Sequence, residues 1–170
     1  MKKNLTTFVI FFFSLTTFGQ TAQEYFQSGN IKYSQQDFKG AIKDFDSAIK
    51  VDKEYQDAYF NRAMCKMNII SCESAIKDFT KLIKLDPTFP KAYYYRATIY
   101  ANQKKYTKAL ADLDKAIEFD ATIPNALTLR GRIRYETGYK KGALEDFNTA
   151  KMIGDKEAKK YLEKYSAYEQ

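Results

Sequence analysis

The feature that most constrains this chain is a spacing of 34 residues that runs through most of its length. Small residues recur at Gly29, Ala63, Ala97 and Gly131, and alanine follows in each unit at Ala41, Ala75, Ala109 and Ala143. A bulky series comes next, Phe45, Phe79, Leu113 and Phe147, and then Ala48, Leu82, Ala116 and Ala150. Four series in step, with no insertion between units, describe one supersecondary unit built four times and stacked on itself. Within a unit the apolar positions step by three or four, which is the period of an amphipathic helix. Each unit therefore reads as two helices. The small residues let the pair approach closely, and the bulky residue fills the space beside that contact.

Punctuation agrees with this reading. Only three prolines and seven glycines occur in 170 residues, which suits helices better than turn-rich strands. Pro87 follows a helix end, and Pro90 and Pro124 fall at the first turn of a new helix, where a missing N–H costs little. Gln36-Asp37 and Gly138 mark turns inside units one and four, and Asp37 and Ser71 are expected N-caps. Ala158, Tyr161, Leu162 and Tyr165 form an apolar stripe beyond the fourth unit, which is expected to cover its open end as a capping helix.

The N-terminus is a separate object. Lys2 and Lys3 precede an uncharged apolar run from Leu5 to Phe18, and Thr17 and Gly19 are small residues before a cleavage point after Gly19. That is the layout of a secretory signal peptide, and the run falls short of the ~20 residues that span a bilayer. The chain is expected to be periplasmic or secreted, with no stable membrane span once residues 1–19 are removed; a retained anchor is the alternative. Removal takes two lysines and no acid, lowering the formal charge from +7 to about +5. An exported chain with this modest excess is not expected to bind nucleic acid.

Catalytic chemistry finds no foothold. The chain has no histidine, which removes the commonest general base, the usual partner of a Ser or Cys nucleophile, and a common zinc ligand. Its carboxylates are periodic, at Asp44, Asp78, Asp112 and Asp146 and at Asp52, Asp86 and Asp120, as structural groups in a repeat would be. Arg62, Arg96 and Arg130 form a matching cationic series, expected to pair with the aspartates as a ladder within or between units. No enzyme, cofactor or metal site is expected. Cys65 and Cys72, the only cysteines, are two buried thiols or a disulfide; sequence leaves both open.

These series resemble the tetratricopeptide repeat: aromatic at position 4 (Tyr25, Tyr59, Tyr93, with Leu127 in unit four), small at 8, Ala at 20, aromatic at 24, Ala at 27 and often Pro at 32. The resemblance departs at position 7, where Ser28, Arg62, Arg96 and Arg130 replace the usual Leu, and at position 32, where only Pro87 is proline. It implies an all-α solenoid of four antiparallel helix pairs over 22–168, with units 22–55, 56–89, 90–123 and 124–157 and the capping helix over 158–168. It also implies a concave groove lined by the first helix of each unit, holding a peptide or protein partner. The residues it places there are Phe26, Asn30 and Tyr33, then Phe60, Asn61 and Met64, then Lys91, Tyr94 and Tyr95, then Arg132 and Tyr135. Asn68, Thr98, Asn102, Leu129 and Glu136 occupy the remaining groove positions. Some relatives grip a C-terminal carboxylate with five such residues. Asn30, Asn61 and Lys91 match that set, while Phe26 and Tyr95 stand where Lys and Arg are expected. Three readings follow: a carboxylate grip, a peptide with apolar or aromatic side chains, or aromatics that serve the solenoid alone. The function expected is an interaction scaffold. The alternative is a self-associating envelope scaffold that stacks through its two ends.

Overall fold

A computed structural model describes residues 20–69, 71–123 and 125–166. The proposed signal peptide lies outside these residues, and so does Pro124. The described residues form nine helices: α1 (Ala22–Ser34), α2 (Phe38–Val51), α3 (Gln56–Asn68), α4 (Cys72–Leu85), α5 (Pro90–Asn102), α6 (Tyr106–Phe119), α7 (Ala126–Glu136), α8 (Lys140–Met152) and α9 (Lys156–Ser166). Each helix packs on its neighbour in sequence, so the chain is an all-α solenoid of antiparallel pairs. First helices also touch one another, α1 to α3, α5 to α7 and α7 to α9, and no pair of second helices among the described residues makes comparable contact. First helices therefore line the shorter, inner side of the curve.

The small-residue series does what its spacing implies. Ala63, Ala97, Ala41, Ala75, Ala109 and Ala143 are fully buried, as are Phe45, Phe79, Leu113 and Phe147. At Gly29 the Phe45 ring sits so close that an added Cβ would lie 2.6 Å from it, and Gly131 stands in the same relation to Phe147 at 2.7 Å. Turns inside the units share one geometry: Gln36 (φ 61), Lys104 (φ 56) and Gly138 (φ 90) are left-handed, and each unit-closing N–H reaches back to the helix, as in Asp37 N to Lys32 O at 2.9 Å and Tyr139 N to Arg134 O at 2.8 Å. Asp37 caps α2 by accepting from Gly40 N at 2.9 Å. Ser71 precedes α4 but its hydroxyl makes no capping bond. Pro90 opens α5 as expected, whereas α7 starts only at Ala126, after Asn125 in a left-handed conformation.

The charged ladder is both within and between units. Arg62 on α3 donates through Nη2 to Asp78 Oδ1 at 2.6 Å and through Nε to Oδ2 at 2.9 Å, both on α4 of its own unit; its Nη1 reaches Asp46 of the preceding unit at 2.6 Å. Arg130 repeats the pattern with Asp146 and Asp114. Arg96 pairs with Asp112 and meets the Thr80 hydroxyl at 2.9 Å in place of the second carboxylate. Burial by itself would lower the Arg62 guanidinium; the hydrogen bonds and charges of Asp78 and Asp46 outweigh it and hold it above its ordinary value. Unit one lacks the Arg, and Asp44 takes Ser28 at 2.6 Å and Lys32 at 2.7 Å instead.

Cys65 is buried and Cys72 half-buried, and their thiols are free. Burial pushes the Cys65 thiol up to about 11, so it stays protonated and unreactive as part of the core.

Candidate functional site

The inner face differs along its length because one repeat position changes character. Phe26, Phe60, Tyr94 and Thr128 are spaced by 34 residues on α1, α3, α5 and α7. The first two rings are spent on packing. Phe26 lies against Phe45 and Tyr55, with centroids 5.7 and 5.0 Å apart. Phe60 is enclosed by Phe79, Phe89 and Tyr95 at 5.6–6.1 Å. Between those helices Asn61 Nδ2 donates to Asn30 Oδ1 at 2.7 Å, which ties the two amides to each other. Met64 packs against the core of unit two. Tyr33 is exposed at the end of α1, edge-on to Phe38.

At α7 the ring series gives way to Thr128, which is buried and donates to Asp155 Oδ2 at 2.6 Å. Without a ring there, the face opens. Three adjoining hollows of about 340, 250 and 120 Å³ follow one another along α5 and α7. The first is bounded by Lys91, Tyr94 and Tyr95. Tyr94 and Asn125 lead into the second, where Thr98, Asn102, Leu129 and Arg132 meet Tyr161 and Glu157 of α9. Asn102, Leu129 and Arg132 continue into the third, closed by Lys104, Tyr106 and Glu136. Shared lining residues make these one continuous trough.

Of the residues placed in a groove by sequence, Lys91, Tyr94, Tyr95, Thr98, Asn102, Leu129, Arg132 and Glu136 line this trough. Lys91 is exposed, and Tyr94 is half-buried and edge-on to Tyr95 at 5.1 Å. Burial raises the Tyr94 hydroxyl above its ordinary value, which keeps it a neutral donor and acceptor. The Arg132 guanidinium sits over the Tyr161 ring, 5.5 Å from its centroid. Tyr135 is covered: its ring stacks on Tyr165 of α9 at 3.7 Å.

Asn125, Thr128, Glu157 and Tyr161 were not expected in the lining. A signal for the last was available, because Tyr161 lies 34 residues after Leu127 and continues the series Tyr25, Tyr59, Tyr93. By that spacing α9 stands where the first helix of a fifth unit would stand. Tyr165 occupies the position held elsewhere by Gly or Ala; it is buried against Phe147 at 5.8 Å and leaves no small site for a further second helix.

Sequence profiles of the tetratricopeptide repeat match this chain at two places, "Tetratricopeptide repeat" over residues 90–122 and "TPR repeat" over residues 29–64. These two segments are tetratricopeptide repeats. That repeat is in general a non-catalytic protein-interaction module. A comparison with curated protein sequences gives no match. Among solved structures the chain is similar to MamA, at 20% identity over 81% of either chain with a TM-score of 0.75. It is similar to YrrB, described as a TPR protein with an unusual peptide-binding site, at 19% identity over 84% of this chain and 74% of the other, TM-score 0.73. The first TPR of Spaghetti, solved with an HSP90 peptide, aligns at 20% identity over 68% of this chain and 92% of its own, TM-score 0.66. These likenesses establish the shared solenoid fold. Among the described residues no helix is long and apolar enough to cross a membrane.

Proposed function

We propose that this chain is an interaction scaffold whose inner trough over α5, α7 and α9 takes an extended segment of a protein partner, and that it works in the cell envelope after export. The observation that carries this reading is the opening of the face at Thr128. There Lys91, Tyr94, Asn102, Asn125, Leu129 and Arg132 border a continuous space. Rings offer contact area at low entropic cost, Asn102 and Asn125 suit a peptide backbone, and Lys91 and Arg132 suit carboxylates. The solenoid likeness to YrrB and to the Spaghetti domain supports peptide capture as a use of this architecture. No catalytic role and no nucleic-acid partner form part of the proposal.

A photo-crosslinking residue placed at Asn102, in the trough, should form an adduct with the partner in envelope material, and one at Lys77 on the outer helix α4 should not. The reverse pattern would put the partner on the outer face. Export is tested by the mass of the purified protein: loss of residues 1–19 supports it, and an intact Met1 on cytoplasmic protein contradicts it.

The second reading, stacking of copies end to end, is favoured by apolar side chains exposed toward the two ends. Ile31 and Val51 in unit one are 59% and 57% exposed, and Met152 and Ile153 at the end of α8 are 79% and 46% exposed. Light scattering across a range of concentrations separates the two: a constant monomer mass leaves the trough reading, and mass growing with concentration leaves self-association.

A further inference from the structure

Arg132 differs from the other four arginines of the chain. Arg62, Arg96, Arg130 and Arg134 all bind aspartate carboxylates at 2.6–2.8 Å. Arg132 is half-buried, yet among the described residues it makes no ion pair and donates no hydrogen bond to protein; its one partner is the face of the Tyr161 ring. A guanidinium carries five N–H donors and no acceptor. Holding it partly out of water with its donors unmatched is unfavourable unless an anion completes it. The position lies where the second and third hollows join, since Arg132 lines both. Two lysines mark the ends of the same trough, Lys91 at one and Lys104 at the other. The trough has its own carboxylates, but Glu136 is engaged by the Tyr106 hydroxyl at 2.6 Å, and Glu157 sits on the opposite wall.

We infer that the trough selects an acidic peptide segment, with Arg132 receiving an Asp or Glu carboxylate of the partner between the walls made by α5, α7 and α9. This rests on the reading of the trough as a peptide site and names what that site recognises. The Tyr161 ring lies under the guanidinium, 5.5 Å from its carbon, and the N–H donors remain available for the two parallel N–H···O bonds that a carboxylate accepts. The α9 helix is then a wall of the site as well as the end of the solenoid. Lys91 and Lys104 add longer-range attraction that salt screens, whereas the Arg132 contact is sheltered and screened less.

The test is selection of a random-sequence peptide library on the full protein, repeated on Arg132→Gln and Arg132→Glu, with each variant's helical circular dichroism and melting checked against the parent. Peptides selected on the parent should be enriched in Asp and Glu. Their affinity should fall about tenfold or more on Arg132→Gln, as for a lost charged hydrogen bond. Arg132→Glu should select peptides enriched in Lys and Arg instead, a switch that a merely structural arginine would not produce. Selected peptides with no acidic enrichment, or with the same affinity for Arg132→Gln, would overturn the acidic preference while leaving peptide binding in place. If no peptide is selected on the parent at all, the trough is not a peptide site and both readings fall.

Discussion

Arg62 and Asp78 form a bidentate pair across one helix hairpin, Nη2 to Oδ1 at 2.6 Å and Nε to Oδ2 at 2.9 Å, with Lys66 Nζ 2.7 Å from the same carboxylate. The Asp78 side chain is only 5% exposed. Asp78→Ala would leave Lys66 without a carboxylate and Arg62 with only the exposed Asp46, and breaking a buried pair this way costs about 3–5 kcal/mol. The expected result is a large drop in the urea midpoint. Asp44→Ala, whose Lys32 partner is more open to water, should cost clearly less. Equal losses at both positions would mean that the ladder's burial does not set its strength.

Ala97 is fully buried in the core with Leu113, at the close approach of α5 and α6. Ala97→Leu should destabilise by about 1–3 kcal/mol through overpacking. Ala101→Leu, a half-buried position on the trough side, should be much milder. Denaturation midpoints decide between these outcomes.

Gln36 holds a φ of 61, in the turn where unit four has Gly138 at φ 90. A side chain in that conformation costs about 1–2 kcal/mol, part of which glycine returns in unfolded-state entropy. Gln36→Gly should therefore be neutral or stabilising by up to about 1 kcal/mol, and Gly138→Ala destabilising by a similar amount. Thermal melts that move in the opposite directions would contradict the turn geometry.

Asp44 supplies a pH dependence. Burial alone would raise its carboxyl, but the hydrogen bonds from Lys32 and Ser28 outweigh that and hold it below the ordinary value. With the folded value below the unfolded one, its stabilisation is complete above the unfolded pKa and is lost as pH falls through the folded value, below about pH 4. Asp44→Asn should lose less stability than the parent between neutral and acid pH. Parallel acid limbs for the two proteins would show that Asp44 does not contribute.

Much of the fold was legible because a repeat writes its own register. Ala41 and Phe45 could be placed in the core by spacing alone, and the Arg–Asp ladder followed from two series in step. The open site was harder to see. Family positions put Phe26 and Phe60 on the groove, and the fold does set them on first helices, but what fills the space beside them depends on neighbours far away in sequence: Phe45 and Tyr55 for one ring, Phe79, Phe89 and Tyr95 for the other. Asn30 and Asn61 each looked like a free amide until the structure joined them. Tyr161 was read only as part of a terminal stripe, although its spacing from Leu127 carried the repeat one helix further.

The central claim is that a partner segment sits in the trough of α5, α7 and α9. Its most direct test is calorimetric titration of the partner segment captured at Asn102 into the parent, Tyr94→Ala and Lys77→Ala, with folding verified by circular dichroism. Phe60→Ala is a poor probe, because its ring is part of an aromatic cluster in the core. A central aromatic anchor in the trough should cost at least about 2 kcal/mol of binding when truncated at Tyr94, and the outer-face change at Lys77 should leave affinity unaltered. Weakened binding by Lys77→Ala together with full affinity in Tyr94→Ala would contradict the account.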